Sequence, residues 1–234
     1  MNKFFRKLDH LLHPGKGEIW MLHRVVKIKS NNPYYHRWEI SPAYLELLIR
    51  QYIDNGYRFV SIDEVCAMLR SHHFNKPFVC ITFDDGHLDN ITEALPILEK
   101  YNVPFCVYVT PGYVLGEVEP RMDEHIPMMT KEQVLQLAHH PLCTIGSHTM
   151  THPHLEQLDY EQQKREIVSA KDLLEQWIGQ LVVHFASPYG SYNEDTLKIT
   201  GELNLQSHVD IWGGPVRKNS NAYCLPRIER REKG

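Results

Sequence analysis

Phe78-Val79-Cys80-Ile81-Thr82-Phe83 is an apolar, largely β-branched or aromatic run, and it ends abruptly at Asp84-Asp85-Gly86-His87. Such a run reads as a buried strand that delivers two carboxylates at its C-terminal end. Adjacent ionised carboxylates repel each other and resist desolvation, so they persist where they are solvated, protonated or neutralised by a cation. In a continuing strand Asp84 and Asp85 would point to opposite faces. Gly86 tolerates the sharp turn that aims both at one place. Taken alone, Asp84-Asp85-Gly86 also fits a solvated turn.

On both sides of this strand the chain alternates strands with helices. Upstream, residues 18–26 read as a first strand with His23 near its end, and residues 31–37 as a polar loop. Ser41 caps a helix with Pro42 at its first position and a stop at Asn55-Gly56. A short strand at 57–60 leads to a Ser61/Glu64 capping box that opens the next helix. Downstream, residues 88–101 carry a helical stripe and residues 103–109 a strand, which makes a strand, helix, strand unit of the kind that pairs in parallel. Residues 110–129, rich in Gly and Pro and bearing Glu117, Glu119, Asp123 and Glu124, read as a long loop over one end of the sheet, where lids and substrate walls form. Thr130 with Gln133 caps a helix, residues 143–146 form a strand, and Asp159 with Gln162 opens the longest helix, ending near Ile178. A strand at 181–185, a helix capped by Asn193 and strands at 206–212 and 223–228 complete the pattern. The chemically active residues fall just after strands, where α/β barrels and open sheets place their sites.

With 234 residues and 42% hydrophobic content, the chain can bury a sizeable core. A formal charge of -4 leaves no basic footprint for nucleic acid and no polybasic membrane patch. The first ten residues carry charge but lack the apolar run of a signal peptide, and no stretch approaches a membrane span, so a cytoplasmic location is expected. The five cysteines are odd in number and widely spaced, as reduced core thiols are.

His148 and His152 are four apart, a spacing that puts two imidazoles on one side of a single helical turn. With Asp85 they make a set of two histidines and one carboxylate, which leaves a coordination position open, as catalytic zinc sites do. The same set suits Fe(II), Co(II) or Mn(II). Asp84 would be the neighbouring base.

Thr82-Phe83-Asp84-Asp85-Gly86, then His148-Thr149-Met150-Thr151-His152, then Pro188-Tyr189-Gly190 resemble, in this order, the polysaccharide deacetylases of the NodB-homology type, carbohydrate esterase family 4. The resemblance runs from about Trp20 to Ile228. It implies a single α/β domain, an incomplete or distorted (β/α) barrel over residues 18–230 behind an N-terminal extension of residues 1–17. It also implies a hydrolase that removes acetyl groups from N-acetylated sugars with a divalent metal, usually zinc. Carried over, Asp85, His148 and His152 are the metal ligands, Asp84 the general base, and Tyr189 the residue whose backbone N–H helps hold the oxyanion.

Two positions depart from that pattern. Where many members carry an arginine two residues before the proline of Pro188-Tyr189-Gly190, this chain has Ala186. The late Leu-x-His motif, which usually supplies the acid, reads Leu225-Pro226-Arg227. Arginine does not release its proton near neutral pH, so Arg227 is expected instead to reach Asp84 and orient it. The acid then comes from His23, from His154, or from water by way of Asp84. Trp212, beside Asp210, is a sugar-stacking or core residue.

The substrate that follows is an N-acetylated sugar, and in a cytoplasmic enzyme an intracellular precursor of a surface polysaccharide. Two other classes compete. A sugar-binding pseudo-enzyme would keep the metal site and lose catalysis at Ala186 and Arg227, but would not need Asp84. An aspartyl-phosphate phosphotransferase usually needs carboxylates two apart, where this chain has Gly86, and no Gly-rich phosphate loop is present.

Overall fold

A computed structural model describes residues 17–74, 76–120 and 126–232. The expected N-terminal extension, Gly17 apart, and the acidic positions Asp123 and Glu124 lie outside the described residues.

The core is one sheet of eight strands, all paired in parallel. β1 (Gly17–Leu22) and β5 (Phe78–Phe83) lie side by side, followed in order by β6 (Phe105–Val109), β7 (Cys143–Ser147), β8 (His184–Ala186) and β9 (Ser207–Val209). β4 (Arg58–Phe59) pairs with the start of β5, and β10 (Ile228–Glu229) flanks β1 on its other side. A separate pair, β2 (Arg24–Val25) and β3 (Glu39–Ile40), stands apart from the main sheet. Because parallel strands need crossover connections, helices cover the sheet and its strands are buried on both faces. All six residues of β5 are buried accordingly.

The sheet curls into an incomplete (β/α) barrel, and the last segment of the chain spans most of the gap. Val209 of β9 bridges Leu225 in parallel, and three residues later Ile228 pairs with Trp20 of β1. Two cores result. Ile19, Cys80, Cys106, Tyr108, Ala186 and Leu225 pack inside the curl. Ile81, Phe83 and Val107 face outward against α1 (Pro42–Asp54), α3 (Leu95–Lys100), α5 (Lys131–Ala138) and α6 (Tyr160–Ile178), through Leu45, Leu98, Val134 and Leu174 among others. The two-residue period of β5 therefore carries Thr82 and Asp84 onto the inner side, in phase with Cys80.

Helix starts follow their caps. Ser41 accepts from the Tyr44 amide, and complete capping boxes open α5 at Thr130, α6 at Asp159 and α7 (Glu194–Glu202) at Asn193. α2 (Ile62–Ser71) has the Ser61 half of its expected box, an acceptor for the Glu64 amide.

Other expectations change. Within the loop expected over 31–37, a 3-10 helix forms at Pro33–Trp38, for which Asn32 accepts from the Tyr34 amide. The strand expected over 18–26 breaks at His23. The helix expected over 88–101 opens with a π-helical turn at Asn90–Ala94 before α3. The loop after β6 holds a short helix, α4 (Pro111–Leu115), which ends at a left-handed Gly116. The final strand expected over 223–228 is reduced to the Leu225 bridge and β10, because Pro226 has no N–H for a ladder. All five cysteines are free, and Cys66, Cys80 and Cys106 are buried.

Gly146 of β7 lies opposite Tyr108 of β6. A Cβ there would fall 2.4 Å from the Tyr108 ring and 3.1 Å from the His184 carbonyl oxygen. Gly146→Ala should therefore destabilise the fold by about 1–3 kcal/mol in urea unfolding. Gly201→Ala, at a helical glycine whose Cβ would meet nothing within 4 Å, should stabilise it by a few tenths to about 1 kcal/mol.

Candidate active site

At the C-terminal end of β5 the turn is made by two successive left-handed residues, Asp85 (φ 75°) and Gly86 (φ 90°). Sequence reasoning assigned the turn to Gly86 alone. A non-glycine residue in this region costs of order 1–3 kcal/mol, and three more stand around the same site: Thr149, His152 and Tyr189.

Asp84 is buried and meets Arg227 face to face. Nη1 donates to Oδ1 at 2.6 Å and Nη2 to Oδ2 at 2.7 Å. Arg227 also donates from Nη1 to Thr82 Oγ1 (3.1 Å) and from Nε to the Asp210 carbonyl oxygen (3.0 Å). The guanidinium lies over the Tyr108 ring at 5.5 Å. Burial, the largest single influence, would raise the Asp84 carboxyl, but the charge and hydrogen bonds of Arg227, with smaller help from His148 and His23, together outweigh it and hold the group below its usual value. Burial likewise disfavours the Arg227 cation, and Asp84 more than compensates. Arg227 thus reaches Asp84 as expected from the sequence.

Asp85, His148 and His152 come together, with one donor atom of each within 4.8 Å of the others. Their arrangement is a loop, not the helical turn that the four-residue spacing favours. Left-handed Thr149 and His152 fold the loop back, and Thr149 Oγ1 accepts from the His152 amide. The loop is pinned from three sides. Glu166 of α6 accepts from the Met150 and Thr151 amides and the Thr151 hydroxyl, Thr110 donates to the His148 carbonyl, and the Gly112 amide donates to the Met150 carbonyl.

The donors suit a metal. His148 Nδ1 contacts the Ala186 carbonyl oxygen at 2.8 Å and must donate to it, which turns a lone pair on Nε2 toward Asp85. Burial pushes the His148 imidazole down to about 4, keeping it in the neutral, ligating form. Asp85 Oδ1 is buried without a hydrogen-bond partner, 3.6 Å from His148 Nε2 and 3.2 Å from His152 Nε2. A divalent ion would satisfy all three.

The other candidates occupy the rim. His23 is half-buried, tilted on Trp38 at 4.4 Å, and within electrostatic reach of both aspartates. Burial lowers its imidazole, and the Asp85 and Asp84 charges partly restore it. The Tyr189 ring is 39% exposed, lies edge-on to His152 and stacks on His154 at 4.0 Å. Trp212 is 68% exposed, so it is not a core residue. Sequence reasoning missed His87, which contacts Asp85, and Glu166, which holds the histidine loop. His87 carries no spacing signal of its own, and Glu166 is one acidic residue among many on a helix.

The curled parallel sheet and the polar centre at the C-terminal ends of its strands have the form expected of the incomplete-barrel deacetylases. A family model for polysaccharide deacetylases matches residues 71–208. YxkH of Bacillus subtilis (strain 168), described provisionally as a polysaccharide deacetylase, is 32% identical over 216 residues, covering 92% of this chain and 71% of that protein. Poly-beta-1,6-N-acetyl-D-glucosamine N-deacetylase of Staphylococcus aureus (strain MRSA252) is 24% identical over 215 residues, 88% of this chain and 73% of that protein. Among solved structures, Streptococcus pyogenes deacetylase PplD in complex with acetate superposes with a TM-score of 0.80 at 27% identity, covering 94% of both chains. The chain belongs to the polysaccharide deacetylase family.

Behind the Pro188-Tyr189-Gly190 turn, His208 Nδ1 donates to the Tyr223 carbonyl (3.0 Å), so its Nε2 accepts from the Ser187 hydroxyl (2.6 Å). Burial pushes this imidazole down to about 4. An unfolded chain titrates histidine near 6.5 and so binds the extra proton between these values, which makes stability rise with pH across that window. This group alone should remove about 3 kcal/mol between pH 7 and pH 4. Urea unfolding at about pH 7, 5.5 and 4.5 should show that slope, flattened in His208→Gln.

Proposed function

We propose that this chain is a divalent-metal-dependent N-deacetylase of an N-acetylated saccharide, with Asp85, His148 and His152 as the ligands. The observation that carries this reading is the buried Asp84 carboxylate, clamped at both oxygens by Arg227 beside a three-donor set. When bound, a divalent ion such as zinc supplies the Lewis acidity that polarises a carbonyl and lowers the pKa of water to about 7.

The chain's own residues divide the remaining work. Asp84 stays ionised and takes the proton of the attacking water. Arg227 fills one lone-pair direction on each of its oxygens and leaves the others open. Arg227 is thus the positioning residue that compensates for Ala186. The Tyr189 amide, at a left-handed turn beside His152, helps hold the developing oxyanion. His23, whose charged form burial disfavours, relays to the leaving amine the proton that Asp84 took from the water. His154, engaged face to face with Tyr189, supports that turn.

The Staphylococcus aureus relative makes a β-1,6-linked N-acetylglucosamine oligomer the first substrate to test. A cytoplasmic location would instead favour a nucleotide-linked or lipid-linked precursor, so the two go into one assay. Metal-loaded wild type should release acetate from at least one of them. Release from neither would overturn the proposal in favour of a non-catalytic saccharide binder.

Asp84→Asn should keep its metal and lose about 10²–10⁴-fold in turnover. His23→Phe should also lower kcat with metal content unchanged, and unchanged turnover would remove His23 from the mechanism. Arg227→Lys loses the planar fork and should lower kcat more than it raises KM. Arg227→Ala strands a buried charge and should cost about 3–5 kcal/mol in stability. If both Arg227 variants turned over like wild type, its positioning role would be wrong.

A further inference from the structure

We propose that His87 positions the metal site by holding one oxygen of Asp85, so that the carboxylate offers the metal its other oxygen alone. This rests on the metal-site reading above. His87 directly follows the left-handed turn, and its side chain is 1% exposed. A backbone bridge to Met128 fixes it on one side, and the Asn90 amide donates to its carbonyl on the other. Its Nε2 lies 3.2 Å from Asp85 Oδ2. A carboxylate only accepts, so Nε2 donates to it, and Nδ1 is the ring's other polar atom.

That Nδ1 is buried with no hydrogen-bond partner. A buried polar atom left unpaired costs about 1–3 kcal/mol, so packing alone would be better served at this position by an apolar ring of similar size. The imidazole is accounted for by its other nitrogen. Asp85 is divided the same way: Oδ2 is engaged by His87, whereas Oδ1 has no hydrogen-bond partner and faces the Nε2 atoms of His148 and His152. Without the Nε2–H donor the carboxylate is free to rotate about its own bonds. Ligating groups held by such outer contacts typically lose about 10–100-fold in metal affinity when the contact is removed.

The test is zinc affinity by competition with a chromophoric chelator, together with the visible spectrum of the cobalt(II) form. Wild type is compared with His87→Phe and His87→Leu, which remove the donor, and with His87→Gln, whose carboxamide N–H can reach the same oxygen. The phenylalanine and leucine variants should bind zinc about 10–100-fold more weakly and show an altered cobalt spectrum, while glutamine restores most of the affinity. Near-UV circular dichroism of the metal-free proteins checks folding. If the phenylalanine variant fails to fold, leucine against glutamine decides. Wild-type affinity in the phenylalanine and leucine variants would overturn the role of His87 alone, as would a glutamine variant as weak as phenylalanine. A wild type that binds neither zinc nor cobalt would overturn the metal-site reading and this proposal with it.

Discussion

The rest of the molecule depends on a buried ion pair, Arg227 with Asp84. Taking both charges out of water costs several kcal/mol per ion, and their attraction offsets this only with good geometry and satisfied donors. Here the geometry is bidentate, with further bonds to Thr82 and the Asp210 carbonyl. An apolar pair of similar volume could be equally stable, so stability alone does not explain the choice. The pair does two other things. It ties the last segment of the chain to the central strand across the gap in the barrel, and it keeps a carboxylate ionised at the end of β5.

The scaffold and the site are built on different terms. Strands and helices have caps, alternation and buried apolar faces in agreement with one another, as in the Thr130, Asp159 and Asn193 boxes. The site concentrates the exceptions: four non-glycine residues at positive φ, and buried polar atoms without partners on Asp85, His87 and His152. Such strain persists only where the surroundings over-determine it. Glu166, Thr110 and Gly112 supply that constraint for the histidine loop, and an added Cβ at Gly112 would meet the Met150 carbonyl oxygen at 2.6 Å.

This division also sets what could be read from sequence. Local signals were legible: the apolar run ending in Asp84-Asp85, the caps of α1 and α6, the order of strands and helices. The pairing of Asp85 with His148 and His152 was legible because each follows a strand, and parallel strands bring such ends together. The form of the histidine loop was not, since a four-residue spacing favours a helical turn and no local signal announces left-handed Thr149 and His152. His87 and Glu166 act through partners that no local pattern names. The inward reach of Arg227 came from the resemblance, through a missing arginine at Ala186 and a misplaced one at 227. Periodicity could not have shown it, because the segment around Pro226 forms almost no ladder.

The barrel explains why that exchange of positions is tolerated. Ala186 pairs with Val209, and Val209 bridges Leu225, so these three residues lie at one level on neighbouring staves. Arg227, two residues beyond Leu225 and in phase with it, points into the same interior one step nearer the C-terminal end. A guanidinium from this stave can therefore reach Asp84. The exchange has a chemical consequence. Position 227 is where the family resemblance places a proton donor, and an arginine clamped on both oxygens of Asp84 cannot serve as one. In the function proposed above, that proton passes through a residue at another strand end. Arg227 stands just before β10, which pairs with β1, and β1 runs into His23, whose imidazole already feels both charges.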